Sequence, residues 1–207
     1  MIRFSMSLIL CASILGFAIS TAAHQPVDGD IHATFGWLAY QTHTLDHYWR
    51  PQALVAPGLI AEGDLNSHGG LEISMFYLQN AFSVKQDGRV VTERVKRVYI
   101  ATGYRHWLNR KFSVALAFSS SYAMGDPRPV ADDFPLQTKP PTSASDTTEY
   151  GMDLSLQYEP WRKDRVGFVL DARYGYSVTA KRHEDSNHYG VMLAFKYFVQ
   201  SRMRAPK

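Results

Sequence analysis

Cysteine is almost missing from this chain: its one thiol in 207 residues is Cys11, inside an apolar amino-terminal run. A mature protein without that segment has neither a disulfide framework nor a thiolate metal site, which excludes the disulfide-dense secreted scaffolds. Long apolar runs are missing as well. After residue 23 no segment reaches the roughly eighteen consecutive apolar residues that a membrane-crossing helix needs, and the mean hydropathy is −0.23. This excludes a helical span only, because lipid-facing and lumen-facing residues alternate in a barrel wall and cancel in any window average. Charge of one sign is scarce too, with 22 Lys and Arg against 19 Asp and Glu and a net charge of +3. The charges are interspersed and form no basic stripe, so a nucleic-acid partner is not expected. A glycine-rich phosphate loop and a nucleophile elbow are also absent.

What is present begins with Arg3, an apolar stretch from about Leu8 to Ile19, and the small residues Ser20, Thr21, Ala22 and Ala23 before the polar His24. That order is the pattern of a secretory signal peptide, with cleavage expected after Ala23. A lipoprotein reading of Leu8-Ile9-Leu10-Cys11 is disfavoured, since Leu10 is bulky where a small residue is needed and the apolar run continues past the cysteine. Residues 24–207 then form a single domain, with no internal repeat of fixed period.

Within that domain the dominant signal is a period of two. Tyr150, Met152, Leu154, Leu156 and Tyr158 alternate with Gly151, Asp153, Ser155, Gln157 and Glu159. A second run, Val166 to Thr179, sets Phe168, Leu170, Tyr174 and Tyr176 against Asp171, Arg173 and Gly175. A third, Tyr189 to Val199, sets Leu193, Phe195 and Tyr197 against Ala194, Lys196 and Phe198. Alternation over such lengths is strand periodicity. Earlier in the chain the same pattern marks Ile31–Thr42, Gly70–Val84, Arg89–His106 and Phe112–Tyr122, and more weakly Gln52–Ala61, which contains Pro57 and Gly58. The triplet Gln86-Asp87-Gly88 is a hairpin signal. Met124 to Asp146, with Pro127, Pro129, Pro135, Pro140 and Pro141, is expected to be a long loop without secondary structure.

Eight strands give the expected fold: an all-β, eight-stranded antiparallel up-and-down transmembrane β-barrel. With both termini in the periplasm, the long loop at 124–146 and the loop at 181–188 fall outside, and the later short turns fall inside. The tight turn at Asp87 also falls outside and breaks the rule of long outer loops. Aromatic residues cluster at both expected rims, with Phe112, Tyr158, Trp161 and Tyr197 on the periplasmic side and Tyr122, Tyr150, Tyr174, Tyr176 and Tyr189 on the outer side. Tyr150 and Tyr158 are separated by roughly 27 Å of strand, or about 20 Å of depth at a tilt near 40°, close to the apolar band of such barrels. The rival fold is a soluble secreted barrel that binds a small ligand, which would show the same alternation with one face wet.

On these strands the chain resembles the small eight-stranded outer-membrane barrels of Gram-negative bacteria, the OmpA/OmpX type. The resemblance covers most of residues 31–201 and is one of pattern, carried best by Phe112–Tyr122, Tyr150–Tyr158 and Tyr189–Val199. It implies location in the outer membrane after export. The partners it implies are outer-membrane lipid and lipopolysaccharide, the barrel insertion machinery, and an exterior ligand at loop 124–146. Such barrels often end on an aromatic residue, whereas this chain runs on past Phe198 through Arg202, Arg204 and Lys207.

Eight strands enclose a space just wide enough for side chains, so Asp171, Arg173 and Lys196 are expected to be structural ion pairs rather than a conduction path. Two polar clusters sit in the expected outer loops: His43, Asp46 and His47, and His183, Glu184, Asp185, Ser186 and His188. Residues of these types can supply an acid, a base and a nucleophile, as an enzyme acting on lipid A would need. Neither cluster matches a family motif or has a metal-ligand spacing, so no residue is assigned to catalysis, to a cofactor or to a metal. The expected function is that of a monomeric, non-enzymatic outer-membrane barrel presenting loops for adhesion, envelope integrity or lipopolysaccharide interaction.

Overall fold

The computed structural model describes residues 26–43, 53–135, 140–181 and 184–200. The alternating segments form β1 (Ile31–Thr42), β2 (Leu54–Asn66), β3 (Gly69–Gln86), β4 (Arg89–Trp107) and β5 (Phe112–Ala123). They continue with β6 (Arg128–Asp132), β7 (Thr148–Lys163), β8 (Val166–Ser177), β9 (Glu184–Asp185) and β10 (His188–Gln200). Eight of these, all but β6 and β9, pair antiparallel in chain order, and β10 closes on β1 from Ile31↔Gln200 to Thr42↔His188. The result is a closed up-and-down barrel, as the period of two implied.

Period two also decides which side of the wall each residue meets. Phe35, Trp37, Leu154 and Phe195 are more than half exposed, whereas their neighbours Thr34, Asp153 and Lys196 are at most 1 % exposed. The exposed set runs around the barrel as one apolar belt, far larger than the surface patches of soluble monomers. Charged residues lie inside and oily ones outside, the inverse of a soluble barrel and the arrangement that hydrocarbon requires. This is a transmembrane β-barrel. Aromatic contacts brace the belt near both edges: Phe112 stacks on Tyr158 with centroids 4.6 Å apart, and Phe118 stacks on Tyr150 at 5.8 Å.

Two expectations are extended by the structure and one is corrected. First, the weaker strand expected at Gln52–Ala61 is present, with bounds Leu54–Asn66. Its inward face continues through Glu62 and Asp64, both buried. Second, the hairpin expected at Gln86-Asp87-Gly88 is present, and it closes a long ribbon. β3 and β4 pair over their whole length, from Gly69↔His106 to Gln86↔Arg89, and their distal halves project beyond the barrel as a ribbon. At its tip Asp87 and Gly88 both have positive φ, 51° and 76°, as a two-residue hairpin of this hand requires. Third, the segment 124–146 is not structureless. It contains β6, which pairs with β4 from Val91↔Asp132 to Arg94↔Arg128, and a short 3₁₀ turn at Ser143–Ser145. Its prolines do not oppose this, because an edge strand has one side without ladder partners.

The ribbon explains these additions. Once β3 and β4 outrun β2 and β5, their outer edges offer unpaired backbone groups. β6 covers the β4 edge, and β9 covers the β3 edge at Ser83 and Val84. Phe82, Val95 and Ala144 are buried together at the centre. The outer loops thus share a small cap with a core of its own.

Candidate functional site

The barrel interior is filled by side chains. Glu62, Asp64, Glu72, Asp153, Glu159 and Asp171 are buried with Arg105, Arg173, Lys196 and His32. Arg105 Nε donates to Glu72 Oε2 at 2.6 Å, and its Nη2 lies 3.3 Å from Asp171 Oδ2. Arg173 donates to Asp153 Oδ1 at 2.9 Å, to Ser74 Oγ at 3.0 Å and to Glu72 Oε1 at 2.5 Å, with Nε 3.1 Å from Asp171 Oδ1. Lys196 Nζ donates to Glu62 at 2.8 Å and to Gln157 at 3.0 Å. Charges removed from water must be paired and hydrogen-bonded to be tolerated; the arginines and Lys196 meet this, whereas Glu159 is paired with Lys196 only at 3.9 Å and neither of its oxygens is hydrogen-bonded among the described residues. The expectation that Asp171, Arg173 and Lys196 form structural pairs holds.

Above this layer the interior turns apolar, with Leu38, Ile60, Leu78 and Met192 in one buried cluster. At its outer end a cavity of about 20 Å³ is lined by Tyr99, Glu149, Ser177, Ser186 and His188, enough for about one water molecule. Ser186 Oγ donates to Glu149 Oε1 at 2.9 Å, and Ser177 Oγ donates to the same oxygen. His188 packs edge-on against Tyr99, with centroids 4.9 Å apart.

Of the residues in the two sequence clusters, Ser186 and His188 meet in this cavity, while Glu184 serves the cap. Asp46, His47 and His183 lie outside the described residues, as does the side chain of Asp185. The His43 N–H donates to the Asn187 carbonyl at 2.7 Å. Glu184 ties the cap together, accepting from the Ser143 N–H at 2.7 Å, from the Ser143 hydroxyl, and from the Lys181 N–H at 2.9 Å. Arg97 anchors the cap from below. Its Nη2 donates to the carbonyls of Ser143 and Asp146, both at 2.8 Å, and its guanidinium lies 4.8 Å from the Phe82 ring. His188, placed in a loop by sequence, stands in the barrel wall with its ring inside.

Among the described residues the wall has a seam between β2 and β3. β2 pairs with β3 only from Gly58↔Phe76 inward to Asn66↔Gly69, although β2 continues outward to Leu54 against β1. Proline at 57 has no N–H to offer a neighbour. One side chain bridges the gap from within: the Gln79 N–H donates to the Tyr40 hydroxyl at 2.6 Å, and that hydroxyl faces the Gln79 carbonyl at 3.4 Å. On the lipid side the seam is an apolar groove of about 420 Å³ between Phe35, Pro57 and Leu59 on one bank and Met75, Tyr77 and Val98 on the other, with Phe76 as its floor. A Cβ at Gly58 would lie 2.4 Å from the Phe76 ring, so glycine is what admits that ring to the wall. Directly outward, a second cleft of about 200 Å³ gathers Arg94, Lys96 and Arg128 with Gln79 and Asp126.

No protein-family model matches this chain, and no curated protein matches it in sequence. Solved structures do match in shape. The outer-membrane protein OprG from Pseudomonas aeruginosa superposes with a TM-score of 0.57 at 10% identity, over 88% of this chain and 100% of that one. Ail, the attachment invasion locus protein of Yersinia pestis, gives a TM-score of 0.46 at 9% identity, over 83% of this chain and 100% of that one. AlkL, studied in lipid bilayers, gives 0.39 at 10% identity, over 89% and 96%. The fold is that of the small eight-stranded outer-membrane barrels, and at these identities the likeness speaks for the fold alone.

Glu62, Asp64 and His32 carried no expectation from the sequence, yet they help to fill the end of the barrel opposite the cap. His32 Nε2 lies 3.0 Å from Asp64 Oδ2. A signal existed for the two carboxylates: Ile60, Glu62 and Asp64 keep period two against Leu59, Ala61, Gly63 and Leu65. The basic cleft had no such signal, because Arg94 and Arg128 meet only through the β4–β6 pairing.

Proposed function

We propose that this chain is a non-enzymatic outer-membrane protein, exported by the signal peptide at residues 1–23, whose barrel holds an ordered outer cap in contact with lipopolysaccharide. The observation that carries this reading is the cap itself. Outer loops that served only as connections would have no reason to share a buried core or to be pinned by the buried Arg97. A closed interior supports an anchoring rather than a conducting barrel. The cations of Arg94, Lys96 and Arg128 lie just outward of the apolar belt, where phosphate groups of a lipid surface are found. A lipid A hydrolase is disfavoured by the size of the Glu149–His188 cavity, which is too small for an acyl chain, and by both serines donating to a carboxylate.

The test is replacement of residues 128–145 by a short Gly-Ser linker. The refolded barrel is expected to keep its heat-dependent shift in gel mobility while its binding to immobilised lipopolysaccharide falls. Unchanged binding, or no binding by the unaltered protein, overturns the reading.

A further inference from the structure

The apolar groove and the basic cleft are consecutive steps on the same face of the same two strands. Tyr77 stands opposite Val98 and Gln79 opposite Lys96 in the β3–β4 register, so the cleft begins one pair, roughly 7 Å, outward of the groove. Val98 is also opposite Tyr122 on β5, and Tyr122 belongs to the outer aromatic rim. The groove therefore lies at acyl-chain depth and the cleft at headgroup depth.

We infer that the outward face of β2, β3 and β4 is a binding site for one phosphorylated, acylated lipid of the outer leaflet, of the lipid A kind. Its phosphate sits among Arg94, Lys96 and Arg128, and one acyl chain lies in the seam against Phe76. This deepens the proposed contact with lipopolysaccharide and rests on it. Charge complementarity selects the occupant. Arg94 and Arg128 are directly paired in the β4–β6 ladder, which brings them to one place. Lys96 and Arg128 line the cleft beside Arg94, with Asp126 as the one carboxylate in its lining, so the lining favours an anion. An apolar ligand without a phosphate would leave that half of the site unused. A soluble phosphate would leave the groove unused. The groove opens where β2 and β3 part outward of Gly58↔Phe76, and Phe76 is part of its lining.

The experiment titrates the full-length protein in detergent micelles with bisphosphorylated lipid A, counting bound lipid by mass spectrometry of the intact complex. One lipid per barrel is expected. Lys96→Ser with Arg128→Ser should weaken binding about thirtyfold, as two cation contacts at a lipid surface imply. That variant should no longer distinguish bisphosphorylated from dephosphorylated lipid A. Val98→Trp, which fills the groove on a face where aromatics are tolerated, should weaken binding about tenfold, equivalent to roughly two displaced methylenes. Leu59→Trp on the opposite bank does the same and covers the case in which Val98→Trp fails to fold, as read by gel mobility. If the unaltered protein binds lipid A and these variants bind it equally well, the site is refuted while the contact reading stands. Dimers abolished by Val98→Trp, with lipid binding unchanged, would assign the face to a second copy and also refute it. If the unaltered protein binds no lipid A, both fall.

Discussion

Arg173 and Glu72 carry opposite charges in one network, and the structure predicts that losing the cation is much worse than losing the anion. Two guanidiniums, Arg105 and Arg173, share Glu72, Asp153 and Asp171 there, while Glu62, 3.9 Å from Arg105, is held by Lys196. Glu72→Gln leaves two cations with two carboxylates. Asp171 still contacts both guanidiniums, and the glutamine carbonyl can still accept one bond. The loss is confined to charge-assisted hydrogen bonding, about 1–3 kcal/mol. Arg173→Met leaves three buried carboxylates with one guanidinium and removes the donor to Ser74. It also removes the guanidinium 5.0 Å from the Phe76 ring. Orphaning buried charge in this way costs about 3–5 kcal/mol. Urea unfolding of the barrel in lipid vesicles, followed by tryptophan fluorescence, reads the difference. At a slope of roughly 2 kcal/mol/M the Arg173→Met midpoint should fall by about 1.5–2.5 M, and the Glu72→Gln midpoint by less than the Arg173→Met midpoint. Equal shifts, or a larger shift for Glu72→Gln, would refute the charge balance inferred for the interior.

Tyr40→Phe removes the acceptor of the Gln79 N–H at the seam and should destabilise the barrel by about 1–3 kcal/mol, with faster amide exchange at Gln79 as the direct readout. Glu184→Ala frees the Ser143 and Lys181 groups that it holds, so protease should cut the segment 124–146 faster while the heat-dependent mobility of the barrel is unchanged. Because side chains fill the interior, the purified protein in planar bilayers should show no steady conductance. Stable open channels would contradict the packed charge network.

The closed barrel itself was foreseeable from the sequence, because a closed wall is written in the period of two. The placement of Asp153 beside Met152, or Lys196 beside Phe195, assigns one residue to the interior and one to lipid whatever the register. That is a local property: side chains on a strand alternate, and one oily face must meet either a core or a membrane. The aromatic rims and the pairing of inward charges followed from the same alternation. The extensions and the correction concern places where alternation carries less information. Pro57 and Gly58 interrupt the pattern of β2, and its inward carboxylates are separated by a glycine at 63. In the segment 124–146 the prolines concealed an edge strand that forms only because β4 offers an unpaired edge.

What the sequence by itself determined is the barrel: the strands, their faces and the sign of what each face carries. Tertiary structure alone decided the rest. Where β2 stops pairing with β3, which hydroxyl bridges that gap, and how Arg94 comes to lie beside Arg128 depend on contacts between residues that are distant along the chain. Such pairings have no local pattern, since a backbone hydrogen bond between strands is indifferent to the side chains on either one. They are settled only when the wall closes and each remaining edge finds a partner. The cap and the seam, which carry the functional reading, are products of that closure.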